Sequence, residues 1–227
     1  MSLAMKHKKR ALAKAENAKA RAAGIRPAPV VSPDNYDLQV AIASLDRDLD
    51  RLSALDSVAD KITLKANELL PKYLPFVDAS LAAGELHQNP VLVRSAMWAL
   101  DVDDMETGMR LADACVAQQQ LAPEHFKRDL PTFFAETVAD WAERQLKENA
   151  SGSPWIDQVC ERLADNTWPT TNDIVRGKVF KVAGQLAEAN GDRQAALDHY
   201  RRAQEENPRA GCKQRIDKLT TQLGAGA

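Results

Sequence analysis

Cysteine is scarce and poorly placed for either of its structural uses. The three residues, Cys115, Cys160 and Cys212, are far apart and odd in number, so the sequence offers neither a disulfide framework nor a C-x-x-C metal site, and it points to a reducing compartment. Glycine is also sparse, ten in 227 residues, and strand-like runs of β-branched residues are few. Alanine, leucine, glutamate, lysine, glutamine and arginine dominate instead, which argues for an all-α fold. No uninterrupted apolar run is long enough to cross a bilayer, and the basic start lacks the apolar stretch of a signal peptide, so neither membrane insertion nor export is expected. The four histidines, His7, His87, His125 and His199, have no ligand spacing. There is no G-x-x-x-x-G-K-[ST] loop to cradle a nucleotide phosphate, and no Ser-His-Asp or Cys-His arrangement can be argued from order. The expectation is therefore no catalytic residue, no metal and no cofactor.

What is present is segregated charge. The chain totals −2, but Lys6, Lys8, Lys9, Arg10, Lys14, Lys19, Arg21 and Arg26 stand against Glu16 alone, so the start carries +7 and the remainder −9. This segment has good helix formers but no broad apolar stripe, and it reads as an arm that orders on an anionic partner such as DNA; a solvated tail is the plainer reading. Three prolines from Arg26 to Pro33 make an extended linker, so 1–33 forms one unit.

From 34 to 68 a sustained helix is predicted. Leu38, Ile42, Leu45, Leu49 and Leu52 step by four, three, four and three, the spacing of a coiled-coil seam, with Asp46, Arg47, Asp48, Asp50 and Arg51 assigned to the outer faces. An amphipathic helix packed on its own domain fits equally well. After Leu52 the stripe slips to Leu55, Val58 or Ala59, Ile62, Ala66 and Leu69, so the helix bends or changes partner there.

A central core is expected over 69–150. Pro71 and Pro75 should break any long helix and leave an apolar corner. Asn89-Pro90 should cap and begin a helix, Asp103-Asp104-Met105-Glu106 has the form of a capping box for the next, and the two form a hairpin. After a turn at Pro123 to Lys127, Asp129-Leu130-Pro131 opens a helix with Phe134, Val138, Trp141 and Leu146 inward. In 151–227, Ser153 should cap a shorter helix begun by Pro154. Phe180, Gly184, Ala196, Tyr200, Ala203 and Pro208 then fall at the spacing of a tetratricopeptide (TPR) repeat around Asn190-Gly191-Asp192, and Asn207-Pro208 should start a capping helix. Trp155 and Trp168 read as core residues, not base-stacking platforms.

The order Leu69-Leu70-Pro71-x-Tyr73-Leu74-Pro75-Phe76-Val77, then Met97-Trp98-Ala99-Leu100-Asp101, Gly108-Met109-Arg110-Leu111-Ala112, Pro123 and Thr132-Phe133-Phe134-Ala135-Glu136-Thr137-Val138-Ala139 resembles the GpM-type small terminase subunits of temperate tailed phages. The resemblance runs more loosely from about Tyr36 to Leu219. It implies a non-catalytic subunit of the DNA-packaging machine in the host cytoplasm. Such a subunit binds double-stranded viral DNA, assembles as a homo-oligomer (a ring being one arrangement) and presents DNA to a large subunit carrying the ATPase and nuclease. It favours self-association of the Leu38 to Leu52 stripe. The family often carries basic residues at the C-terminus, whereas this chain stops at Gly224-Ala225-Gly226-Ala227; Arg201, Arg202, Arg209, Lys213, Arg215 and Lys218 are then the alternative DNA contact.

Two rivals remain from the residues alone. One is an interaction scaffold whose TPR-like end binds a peptide. The other is an endonuclease using Asp101, Asp103, Asp104 and Glu106 to hold divalent ions, although carboxylates at a helix start equally well satisfy orphan amides and the helix dipole.

Overall fold

A computed structural model describes residues 36–84, 86–124, 126–170 and 172–224. The chain divides into Met1–Asp34 and Asn35–Ala227. The eight basic residues of the predicted arm, and His125 within the predicted turn, lie outside the described residues.

Among the described residues every regular element is helical. In chain order these are α1 (Tyr36–Ser53), α2 (Val58–Leu64), α3 (Leu70–Ala82), α4 (Pro90–Asp101), α5 (Met105–Ala117), α6 (Leu130–Lys147), α7 (Trp155–Ala164), α8 (Asp173–Ala189), α9 (Arg193–Glu206) and α10 (Lys213–Gly224). Capping follows the local chemistry: side-chain oxygens of Ser57, Asn89, Asp104, Asp129, Asn172 and Asp192 each accept from a first-turn amide.

The predicted 34–68 helix is interrupted. Residues 54–57 leave the helix, and Ser57 caps a new start at Val58, which is where the apolar stripe slipped. The prolines, by contrast, break nothing. A π turn at Lys65–Leu69, closed by the Leu70 amide on the Lys65 carbonyl, joins α2 to α3, so the chain runs helically from Val58 to Ala82 and the expected boundary at 68/69 falls inside it. Pro71 lies in the first turn of α3, directly after this π turn. Pro75 lies within α3.

The stripe of α1 is used within the chain. Leu38, Leu45 and Leu52 are buried, at 3%, 2% and 7% exposure, while Ile42 and Leu49 are half-buried against the same core. Most of this stripe therefore faces the chain's own core, as an amphipathic helix packed on its own domain would. Asp48, assigned by spacing to the outer face, is also buried. Its carboxylate accepts from the Tyr73 hydroxyl at 2.7 Å, from Lys72 at 2.6 Å and from Arg51 at 2.9 Å. Burial raises the carboxyl pKa, but these donors together outweigh it and hold it below the ordinary carboxylate value. Asp48 thus fixes α1 on α3 by a satisfied buried charge.

The hairpin α4–α5 forms the centre. Val91 to Leu100 of α4 are buried except for the half-buried Arg94, and α4 packs against α1, α3, α5 and α6. Gln120 closes the hairpin base, accepting from the Asn89 amide at 2.7 Å and donating to the His87 carbonyl at 2.6 Å. Beyond α6 and α7, the hairpin α8–α9 packs on α6 through α8, and α10 covers α9. Two predicted starts move. Helix α7 begins at Trp155 after a cis Ser153–Pro154 peptide, and the Ser153 side chain does not cap it. Helix α10 begins at Lys213 instead of Pro208, because Asn207 accepts the Arg209 amide in a local turn and Gly211, with φ +76°, completes it.

Candidate nucleic-acid interface

The acidic cluster that suggested metal binding is dispersed. Asp101 receives Lys65 at 2.7 Å, and Asp103, at φ +61°, receives Arg144 at 2.8 Å. Asp104 caps α5 by accepting the Thr107 amide at 3.2 Å; Thr107 rather than Glu106 occupies the third helical position, so the reciprocal half of the capping box is missing. Each of these three carboxylates is turned to a different partner. Among the described residues no group of three or more His, Cys, Asp or Glu side chains is arranged to hold a metal ion. The thiols offer no nucleophile either: Cys115, Cys160 and Cys212 are buried, and burial pushes their pKa values upward.

The aromatics belong to the core. Trp168 is buried against Phe134 and donates its indole N–H to Asp113 at 2.9 Å, while Arg162 grips the same carboxylate through two 2.6 Å bonds. Trp155 is half-buried. Trp168 presents no open face for a base.

The cations of the C-terminal helices are sorted by their partners. Arg202 is held by Glu206 at 2.7 Å and Arg215 by Glu188 at 2.7 Å. Glu206 is also gripped by Arg176 through two 2.7 Å bonds, which hold its carboxyl below the ordinary range. Arg193, Arg201, Arg209, Lys213 and Lys218 are exposed and make no ion pair. Sequence reasoning grouped all six basic residues from Arg201 to Lys218; it had no means of knowing which ones the acids of α8 and α9 would neutralise.

The turn between α9 and α10 holds several of these together. The Gln204 side chain donates to the Pro208 carbonyl and accepts from the Cys212 amide at 3.3 Å, while Lys181 reaches the Ala210 carbonyl at 3.0 Å. Gly177 admits the turn closely, since a Cβ there would stand 2.6 Å from the Asn207 Cβ. Charge along the chain is accordingly in three parts: +7 over 1–33, −12 over 34–192 and +3 over 193–227.

Among the described residues no helix is long and apolar enough to cross a membrane. No solved structure matches this chain. The chain is similar to a protein of Haemophilus phage HP1 (strain HP1c1) named probable terminase, endonuclease subunit, at 28% identity over 86% of this chain and 73% of that protein. It is also similar to the terminase, endonuclease subunit of Escherichia phage P2, at 31% identity over 73% of this chain and 70% of that protein. The pattern of the phage small terminase subunit family matches residues 42–173, from α1 to the start of α8, and the chain belongs to that family.

Proposed function

We propose that this protein is the non-catalytic, DNA-recognising subunit of a phage terminase, which binds double-stranded viral DNA and hands it to the large subunit for packaging. The observation that carries the reading is the charge segregation. Eight cations, Lys6, Lys8, Lys9, Arg10, Lys14, Lys19, Arg21 and Arg26, precede a proline-rich linker, and 34–192 carries −12. Such an arm neutralises phosphates while the acidic body stays clear of the polyanion. Phosphate contacts position a protein and do not read bases, so site choice comes from many weak arms displayed together in an oligomer.

The non-catalytic reading is supported by the engagement of Asp101, Asp103 and Asp104 with Lys65, Arg144 and the Thr107 amide. Cleavage of DNA by the purified chain with magnesium, lost in Asp101→Ala/Asp104→Ala, would establish the endonuclease instead. Self-association is supported by Val58 and Ile62, one turn apart on α2 and exposed at 71% and 40%. In native mass measurement Val58→Asp/Ile62→Asp should lower the oligomer number of a folded chain. The same oligomer in this variant would place the contact elsewhere. The α8–α9 hairpin closed by α10 supports a TPR-like unit over 151–227, which we assign to docking the large subunit.

The test of the DNA reading is a salt titration of duplex binding. With six or more phosphates neutralised, affinity should fall by roughly a thousandfold or more between 50 and 200 mM salt. Deleting residues 1–26 should remove the arm's share of that dependence for all sequences alike. A full-length chain that binds no duplex at low salt would overturn the reading.

A further inference from the structure

The folded body itself carries a surface suited to a phosphate backbone. Arg201 lies one turn before Gln204 on α9, Arg209 follows Pro208, and Lys213 follows Cys212; Gln204 is hydrogen-bonded to both Pro208 and Cys212. That side chain therefore ties three unpaired cations to one turn, and Lys181 brings its ammonium to the same turn at Ala210. Lys218, also exposed and unpaired, lies five residues further along α10 on its other flank.

The local acids do not cancel it. Glu188 is engaged by Arg215 and the Tyr200 hydroxyl, and Glu206 by Arg176 and Arg202. Glu205 faces Arg202, whereas Asp198, which accepts from the neutral Gln194 amide, keeps its charge one turn before Arg201. Asp217 is the one contrary charge left open on α10. The first turn of α10 contains no acid and carries Lys213 and Arg215, so the positive end of its dipole adds to these side chains instead of being neutralised.

We propose that the turn joining α9 to α10, with Arg201, Arg209, Lys213 and Lys218 around it, is a second contact for duplex-DNA phosphates, on the folded body and separate from the N-terminal arm. Exposed cations with no apolar pocket beside them suit a phosphate backbone better than an acidic peptide, which would also seek apolar pockets. The large exposed apolar residues, Val40, Val58, Ile62, Leu86 and Ile174, all lie outside α9 and α10. Two contacts of different kind give the complex geometry: a tethered arm finds phosphates, and a fixed turn orients the body against them.

This inference rests on the DNA-binding reading, and the experiment separates the two. Binding of a labelled mixed-sequence duplex is followed by fluorescence anisotropy against salt, using the full chain, the Arg201→Gln/Arg209→Gln/Lys213→Gln/Lys218→Gln variant and the chain lacking residues 1–26. Each phosphate contact contributes about 0.9 to the slope of log K against log salt, so the quadruple variant should lower the slope by about 3 to 4. The truncated chain should retain a slope of about that size. Asp217→Asn, which removes the contrary charge, should tighten binding several-fold without altering helical content. Circular dichroism of each variant confirms the fold. A wild-type slope in the quadruple variant, with Asp217→Asn also unchanged, overturns the second contact alone; a wild-type chain that binds no duplex at low salt overturns both.

Discussion

The two hairpins, α4–α5 and α8–α9, are built from the same parts and put to different uses. Each is closed by an aspartate cap, Asp104 or Asp192, and each brings its helices together by setting a glycine against a large side chain, Gly108 on Leu100 and Gly184 on Tyr200. Helix α4 is covered by α1, α3, α5 and α6, so almost all its side chains are apolar. Helix α9 packs mainly against α8 and α10, and its outer positions carry charge. A close-packed hairpin therefore does not determine its own role. The number of neighbours around it decides whether its polar positions are removed or become a binding surface.

The largest expected effect breaks the central hairpin. Trp98 is buried against the Tyr73 ring at 6.0 Å between centroids, and Trp98→Ala should lose about 3 to 5 kcal/mol in denaturant titration. A loss below 1 kcal/mol would mean that α4 is not the centre of the core.

The glycines sharpen the comparison. A Cβ on Gly184 would stand 2.8 Å from Cδ1 of the Tyr200 ring, which is rigid and held by Glu188. One on Gly108 would stand 2.5 Å from Cδ2 and 2.8 Å from Cγ of the buried Leu100, and 3.2 Å from its backbone nitrogen. Gly184→Ala should destabilise by about 1 to 3 kcal/mol, as measured by thermal melting. Gly108→Ala should therefore also destabilise, by about 1 to 3 kcal/mol.

Next come the caps. Asp104→Ala and Asp192→Ala should each lose roughly 0.5 to 2 kcal/mol, with neither changing any response to magnesium. Magnesium-dependent stabilisation that disappears in Asp104→Ala would reinstate a metal role.

The smallest effect distinguishes the hairpins by pH. His199 of α9 stacks on Phe180 at 6.4 Å, and burial lowers its pKa below 6.5, against a weaker opposing pull from Asp157, Asp198 and Asp192. The unfolded chain then takes up the proton first, so the stabilisation is full above pH 6.5 and declines as pH falls through it. Melting at mildly acid pH should begin in α8–α9, and His199→Gln should remove that pH dependence. Hydrogen exchange that accelerates equally in both hairpins would refute the assignment.

Sequence alone determined the helical class, most helix starts and the caps, because these depend on contacts within a few residues. Asn89-Pro90, Asp104, Asp129 and Asp192 could be read from spacing for that reason. The irregular run of motifs from Leu69 to Ala139 also carried the family resemblance. Tertiary structure decided what periodicity could not. The stripe of α1 was visible, but whether it faced the chain's own core or a second copy depended on what lay opposite; Asp48 turned inward because Tyr73 and Lys72 were there to satisfy it. The prolines at 71 and 75 both sit within a helical stretch, Pro71 directly after a π turn and Pro75 inside α3. The same limit governed the surface: charge is written in the sequence, whereas the neutralisation of Arg202 and Arg215 but not of Arg201, Arg209, Lys213 and Lys218 was set by which carboxylates folding brought within reach.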